Sequence, residues 1–352
     1  MTRARTTVLL LILALLLAAC GGGGDDEGDV DAGAGETTTS TEAGPVEPST
    51  TTAAPSTTEA EEAGPVYPLT GLPAGENAAR PALAIKIDNH PKARPQVGIN
   101  EADLVFEEVV EGNITRFVGV FHSQDADPIG PVRSARTSDI QILGAFERIL
   151  FANSGGNFGT LARVDEAPYL VNANVNALPS LYYRERSRVG PHNLFSNTSA
   201  LIDSIPDVAP PNPIFTFGDD LDGGRPVSRV DIDYGGTQVS FEWDAGLEGW
   251  ARTENGTPAA DADDDRIAPT NLVILETEYG RSPADAGSPE AIVTGTGTAH
   301  VLTDGTRREG TWTRPEPTAV PELTAADGSP LALRPGTVWV AMPRPQHVAF
   351  TD

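Results

Sequence analysis

The sequence predicts a first folded part of α+β or α/β class, then a mostly-β part, both carried behind a disordered N-terminal tether. Three observations predict it. Residues 21–66 contain no aromatic and no basic residue, and Val30, Val46 and Val66 are their only large aliphatic side chains. Such a segment cannot bury enough apolar surface to offset the entropy of ordering it. Residues 67–208 mix short apolar runs with segments of helical spacing, whereas residues 214–352 read mainly as strands. Between them lies Ala209-Pro210-Pro211-Asn212-Pro213, at residues 209–213, either a link between two domains or a loop inside one.

In chain order, Arg3 and Arg5 precede an apolar run from Val8 to Leu17, then Ala18, Ala19 and Cys20. A basic start, a short apolar core and small residues before a cut mark residues 1–20 as a secretory signal peptide. The run is shorter than the ~20 residues of a comfortable membrane span. Leu17-Ala18-Ala19-Cys20 resembles the bacterial lipobox, whose cysteine is diacylated, palmitate being a typical acyl chain, and becomes the first mature residue. Cys20 is the single cysteine of the chain, which excludes a disulfide framework and a Cys-based zinc knuckle. Consumed by lipid, it is no nucleophile either. Two acyl chains supply the double signal that stable anchoring needs. The expected location is the outer face of the cytoplasmic membrane, with the 46 residues of the tether spanning roughly 40 Å as a random coil.

In the first part, Ala82–Ile87, Asp103–Val110 and Ile114–Phe121 read as strands, the last two joined at Gly112-Asn113. Ser138–Arg148 has apolar residues near helical spacing, with Thr137 or Ser138 available to cap it. Ile149–Ala152 reads as a short strand, and Ser196–Ile205 as a helix capped by Asn197 or Thr198. In the second part, Val227–Tyr234 and Thr237–Asp244 flank Gly235-Gly236, a two-residue turn signal. That turn pairs Ile232 with Val239 and Val230 with Phe241 on one face. It pairs Asp231 with Ser240 and Arg229 with Glu242 on the other, so both faces agree on the register. Further strands are expected at Asn271–Glu278, Ala291–Val301, Arg308–Thr313 and Thr337–Met342.

Of 352 residues, 24 are basic and 50 acidic, a net charge of -26. Residues 1–66 and 215–352 carry 22 of those negative charges, and residues 67–214 only four. Such a protein repels phosphate backbones over most of its surface, which argues against nucleic acid as a partner. The nearly balanced first part can still present a local anion site. The loop Asp261–Asp265 is acidic but lacks EF-hand spacing and its terminal glutamate, so it reads as a solvated loop.

Polar residues gather in loops of the first part. Asp88, Asn89 and His90 follow the first strand, with Arg94 shortly after; Glu107, Glu108 and Glu111 lie on or beside the second strand, and Arg116 opens the third. Arg133 and Arg136 lead into the first helix, and His192 and Asn193 follow an arginine-rich stretch. Strand ends and helix entries are where a scaffold presents binding groups. Arg133 and Arg136 either form an anion site or pair internally with Glu107, Glu108 or Glu111. His192 is either a general base or a structural turn residue. There is no Gly-x-Ser-x-Gly elbow, no His-Glu-x-x-His, no P-loop and no dinucleotide fingerprint. No cofactor is implied, and no spacing demands a metal.

The runs RPALAIKIDNHPKARPQVGINEADLVFEEVVEGNITRFVGVF, IGPVRSAR and PHNLF, with GTGTAHVLTDGTRREGTW and LRPGTVWVAM further on, carry a family resemblance. Together they resemble the bacterial lipoproteins typified by YerB, a family of N- and C-terminal parts with no assigned reaction. The resemblance covers nearly everything after Pro68. Asp88, Asn89, Arg94, Pro95, Glu108, Glu111, Arg116, Arg133, Arg136, His192 and Asn193 match its characteristic polar positions. It implies an envelope lipoprotein and supplies no chemistry.

Two functional readings follow. In the first, a non-enzymatic lipoprotein binds or scaffolds a cell-wall polymer or envelope protein, with Asp88, Asn89, Arg94, Arg116, Arg133, Arg136, His192 and Asn193 as the ligand-binding set. The alternative is a cell-wall glycan hydrolase or transferase, with Glu108 or Glu111 as general acid/base and Asp88 or His192 as partner.

Overall fold

The computed structural model describes residues 64–219, 221 and 223–352; the expected signal peptide, Cys20 and the expected tether up to residue 63 lie outside the described residues. Strands β1 (Leu83–Ile87), β2 (Leu104–Val109) and β3 (Thr115–Phe121) form where the apolar runs place them, and every residue in them is buried. Burial on both faces explains why these strands read as continuous apolar runs without clean alternation. The turn between β2 and β3 is antiparallel, with Gly112 at φ 77°, and sets Glu108 opposite Arg116.

Helix α1 (Thr137–Leu143) starts one residue before Ser138 and stops well before Arg148. Its N-cap is Arg136, whose backbone N–H donates to Asp139 Oδ2 at 2.7 Å. The chain then tightens into a 3₁₀ turn at Gly144–Phe146, where Gly144 lies against Pro317: a Cβ there would lie 2.2 Å from the Pro317 carbonyl oxygen. Strand β4 (Ile149–Ala152) follows as expected. Helix α2 (Phe158–Glu166) and strand β5 (Leu170–Asn172) have no counterpart in the sequence reading. Only Thr160 and Val164 of α2 are buried while Phe158 is exposed, so its apolar period is blurred. A ribbon of β6 (Tyr183–Arg184) and β7 (Leu194–Phe195) precedes α3 (Thr198–Asp203), whose N-cap is Asn197.

The second part is mostly β. Strands β8 (Arg225–Pro226), β9 (Arg229–Asp233), β10 (Gln238–Asp244), β11 (Gly249–Glu254) and β12 (Thr257–Pro258) come first. They are followed by β13 (Asn271–Leu275), β14 (Tyr279–Arg281), β15 (Pro289–Ala291) and β16 (Gly295–Thr303). Last are β17 (Thr306–Arg314), β18 (Glu322–Ala325), β19 (Val338–Ala341) and β20 (Val348–Thr351). The β9–β10 register is the expected one, Ile232 with Val239 and Val230 with Phe241, and Arg229 is ion-paired with Glu242. The single strand expected over Ala291–Val301 is split, since β15 ends at Ala291 and β16 begins at Gly295, at φ 103°.

Hydrogen bonding does not stop at the Pro-rich stretch. The large sheet runs β18-β17-β16-β13-β19-β2-β3-β1-β4-β5, with β8 paired to β17. Strand β19, near the C-terminus, lies parallel between β13 and β2 and pairs Val340 with Phe106. On one face, Ile85, Phe117 and Trp339 pack with Val230, Phe241 and Trp250 of the five-stranded sheet β12-β11-β10-β9-β20. On the other, Ala84, Phe106 and Val118 pack with Ile142 and Phe146 from the α1 region. The site lies where β1, β2 and β3 give way to loops.

Candidate functional site

Asp88 is fixed as soon as β1 ends, since its backbone N–H donates to the Pro131 carbonyl at 2.9 Å. The loop before α1 is thereby laid along the strand end, and Arg133 N–H donates to Lys86 O at 2.7 Å. The buried Asp88 carboxylate accepts from His90 N–H at 3.0 Å and from His192 Nδ1–H at 2.7 Å. Arg133 Nε lies 3.0 Å from the same carboxylate. With Nδ1 directed at Asp88, the other ring nitrogen of His192, Nε2, faces away from that carboxylate. That atom has no partner among the described residues and is not sealed from solvent. The His90 ring stacks on His192 with centroids 4.5 Å apart, and burial, then the His192 charge, lowers the His90 pKa.

Beside this pair stand two further arginines. Arg136 grips Glu111 with two nitrogens, Nε at 2.7 Å and Nη2 at 2.8 Å, and Ser288 Oγ donates to Glu111 at 2.5 Å. Burial pushes the Glu111 carboxyl up, but the Arg136 and Ser288 bonds and the Arg136 charge outweigh it and hold the pKa at about 2. Arg116 is buried; its Nη1 donates to Ser134 O at 3.2 Å and its Nη2 lies 3.9 Å from Glu111. Its pKa is pushed down to about 10, first by burial, then by the charges of Arg136 and Arg133. Three guanidinium groups thus crowd against Glu111 and Asp88. Arg133 is the open member: its side chain is 24% exposed, and neither Nη nitrogen has an acceptor among the described residues.

Glu108 faces the other way, into a sealed triad. Lys86 Nζ is ion-paired with Glu108 and lies 2.6 Å from Asp139 Oδ1, and all three side chains are buried. Burial raises the Glu108 pKa, with the Lys86 charge opposing it. This carboxylate is buried and committed to Lys86 rather than open to solvent.

Asn89 and Arg94 join a second network that leads into β11. Asn89 Nδ2 donates to Thr115 Oγ1 at 2.8 Å and toward Glu254, while its Oδ1 accepts from Gln96 Nε2 at 2.9 Å and Arg94 Nε at 3.1 Å. Arg94 is also ion-paired with Glu254. Arg252, buried beside it, reaches Glu254 at 2.6 Å and Glu107 at 2.8 Å. It lies over the rings of Trp339 and Phe117, 5.1 and 5.3 Å from their centroids. Glu107 completes its set with Thr115 Oγ1 at 2.8 Å and Trp339 Nε1 at 2.9 Å.

The expected residues therefore divide. Asp88, His192, Arg116, Arg133, Arg136 and Glu111 share one neighbourhood. Asn89 and Arg94 turn toward Glu254, and Glu108 is enclosed. Asn193 braces the β6–β7 ribbon, accepting from Arg184 Nη1 at 2.8 Å. Sequence reasoning missed Arg252 and Glu254. The Asn255-Gly256 dipeptide behind them is a hairpin signal, and reading it would have placed β11 and its alternating charges. Among the described residues no cluster of His, Cys, Asp or Glu is arranged to hold a metal ion.

Residues 69–209 match the N-terminal domain, and residues 230–340 the C-terminal domain, of the family described as protein of unknown function (DUF3048). The chain belongs to that family, and the Arg252–Glu107 pair ties its two matched segments together. The putative lipoprotein YerB of Bacillus subtilis (strain 168) is 28% identical over 285 residues, covering 77% of this chain and 84% of the relative. A crystal structure of the YerB protein from Bacillus subtilis is similar with a TM-score of 0.72 and 26% identity, over 82% of this chain and 99% of that one.

Proposed function

We propose that this chain is a lipid-anchored extracytoplasmic protein that captures an anionic group of a cell-envelope ligand at the Arg133–Arg136–Arg116 cluster. The observation that carries the reading is Arg133. Its Nε lies 3.0 Å from Asp88 without a hydrogen bond, and both terminal nitrogens are without an acceptor among the described residues at a partly open surface. A carboxylate or phosphate there gains a two-pronged, charge-assisted contact and relieves the crowding of three like charges. The anchor is supported by the Leu17-Ala18-Ala19-Cys20 motif and by the name of the relative, putative lipoprotein. The test is sedimentation of the full chain, in detergent, with purified cell-wall sacculi. Arg133→Gln removes a charged contact worth about 1.5–3 kcal/mol, so affinity falls roughly tenfold or more. Unchanged binding by a folded Arg133→Gln protein overturns the site.

One observation favours a second reading, a wall-directed hydrolase or transferase: the Asp88–His192 pair with an accessible Nε2. The base is then His192, oriented by Asp88, and the neighbouring arginines hold the substrate anion. Glu111, ionised over the physiological range, is no proton donor. Release of soluble wall fragments by the wild-type chain, lost in His192→Ala with wall binding retained, establishes turnover. Absence of any release leaves the binding function alone.

A further inference from the structure

A second set of unmatched charges lies on the far edge of the large sheet. Strand β17 is paired along its length with β16, but on its outer edge the partner changes. Strand β8 covers Thr306 and Arg307, β18 covers Gly310 to Thr313, and Arg308 and Glu309 between them have no strand partner there among the described residues. The break is the floor of a groove of about 610 Å³, with Arg225 on one side, Asp327, Ser329 and Pro330 on the other, and Arg308 at its base.

Arg308 is only 9% exposed. One Nη nitrogen donates to the Ala332 carbonyl; its Nε is sealed with no acceptor, and no carboxylate among the described residues comes within ion-pair distance. Burial alone lowers its pKa, with no opposing charge to raise it. Arg225 is exposed and likewise makes no ion pair among the described residues; it stands directly opposite Arg307 in the ladder, a like-charge pairing that a sheet does not favour. Two carboxylates line the groove, and neither is paired with Arg308 or Arg225. Asp327 accepts from Ser329 N–H at 2.9 Å and Ser329 Oγ–H at 2.6 Å. Glu309 lies 3.4 Å from Arg307 and 3.7 Å from His300. Arg307 itself is spent on the Phe350 ring, 4.0 Å from its centroid.

A guanidinium largely shielded from water without a counter-ion is costly, and within the −13 part of a −26 chain it is conspicuous. We propose that the groove between β8 and β18 is an oxyanion-binding site, separate from the Arg133 cluster, in which Arg308 and Arg225 together receive a carboxylate or phosphate group. Arg308 supplies the desolvated, strongly attracting donor at the base, and Arg225 closes from the solvent side.

The test is a titration of the isotope-labelled full chain, in detergent micelles, with inorganic phosphate and separately with acetate, following the backbone amides of Gly310 and Ser329 by NMR. Saturable shifts with either anion are expected, and whichever saturates first identifies the preferred oxyanion. The same shifts are expected in Arg133→Gln, whose change lies in the other cluster, and at least tenfold weaker binding in Arg308→Gln. Arg225→Gln alters an exposed residue, so it keeps the test decisive if Arg308→Gln fails to fold; it should also weaken binding several-fold. Amides that do not move, or that move equally in wild type and Arg225→Gln, overturn the site. Shifts confined to the Arg133 neighbourhood overturn it as well while leaving the first site standing.

Discussion

Glu111 shows how single residues set the electrical state of the main cluster. Its folded pKa of about 2 lies below the ordinary carboxylate value of 4.5 because the Arg136 and Ser288 bonds and the Arg136 charge outweigh the effect of burial. A group whose folded pKa is depressed adds stability that is complete above its unfolded value and fades as pH falls through the folded one. The gap in unfolding free energy between wild type and Glu111→Gln should therefore be constant from pH 7 down to about 4.5 and shrink toward pH 2. Urea unfolding at stepped pH measures it, and a gap that persists undiminished at pH 2 would show that the folded pKa of Glu111 is not depressed. The side chain is 37% exposed, so solvent screening keeps the gap modest. Lys86 teaches the complementary lesson. A lysine inside a buried apolar strand run needs counter-charges, and here Glu108 and Asp139 enclose it fully.

At the scale of elements, the Gly235-Gly236 hairpin was legible down to its register because both of its faces carry information, apolar pairs on one and a charge pair on the other. Strands β1, β2 and β3 were legible as apolar runs, but their pairing order was not, since strands buried on both faces carry no sidedness. For the same reason the sequence put Arg116 at the start of the third strand and Arg133 and Arg136 before the helix, but could not show that they meet or that Glu108 points away from them. The hairpin tip also does something its sequence does not announce. Gly236 N–H donates to Asn113 O at 2.8 Å, so the tip rests on the β2–β3 turn. A Cβ on Gly236 would lie 2.6 Å from Gly112 O and 2.8 Å from Asn113 O, both backbone atoms that cannot swing aside. Gly236→Ala should lift the tip and cost about 1–3 kcal/mol, as overpacking does. Thermal unfolding checks the cost, and faster hydrogen exchange at Gly236 and its neighbours checks the place. An unchanged midpoint would mean the tip contact is dispensable.

The whole molecule is held by contacts between segments that are far apart in sequence. Strand β19 enters the sheet beside β2, and Arg252 of β11 reaches Glu107 of β2 beneath Trp339 of β19. No sequence window contains two of these three elements, which is why composition and periodicity suggested a break at the Pro-rich stretch but could not show the sheet running through it. Burial works to neutralise Arg252, and the charges of Glu107 and Glu254 more than compensate, keeping it firmly protonated. Replacing it by Met leaves Glu107 buried without its cation and Glu254 with Arg94 alone. The loss of one partner from such a group costs about 3–5 kcal/mol. Because Arg252 links β11 to β2, the penalty should fall on both family-matched segments at once. Urea unfolding of Arg252→Met, followed by tryptophan fluorescence and far-ultraviolet circular dichroism, should give one transition moved to lower urea with an unchanged slope. Trp243 and Trp250 report on the five-stranded sheet, Trp312 and Trp339 on the large one. If instead the fluorescence and dichroism curves separate into two steps, the pair holds the second part alone, and the two segments unfold independently.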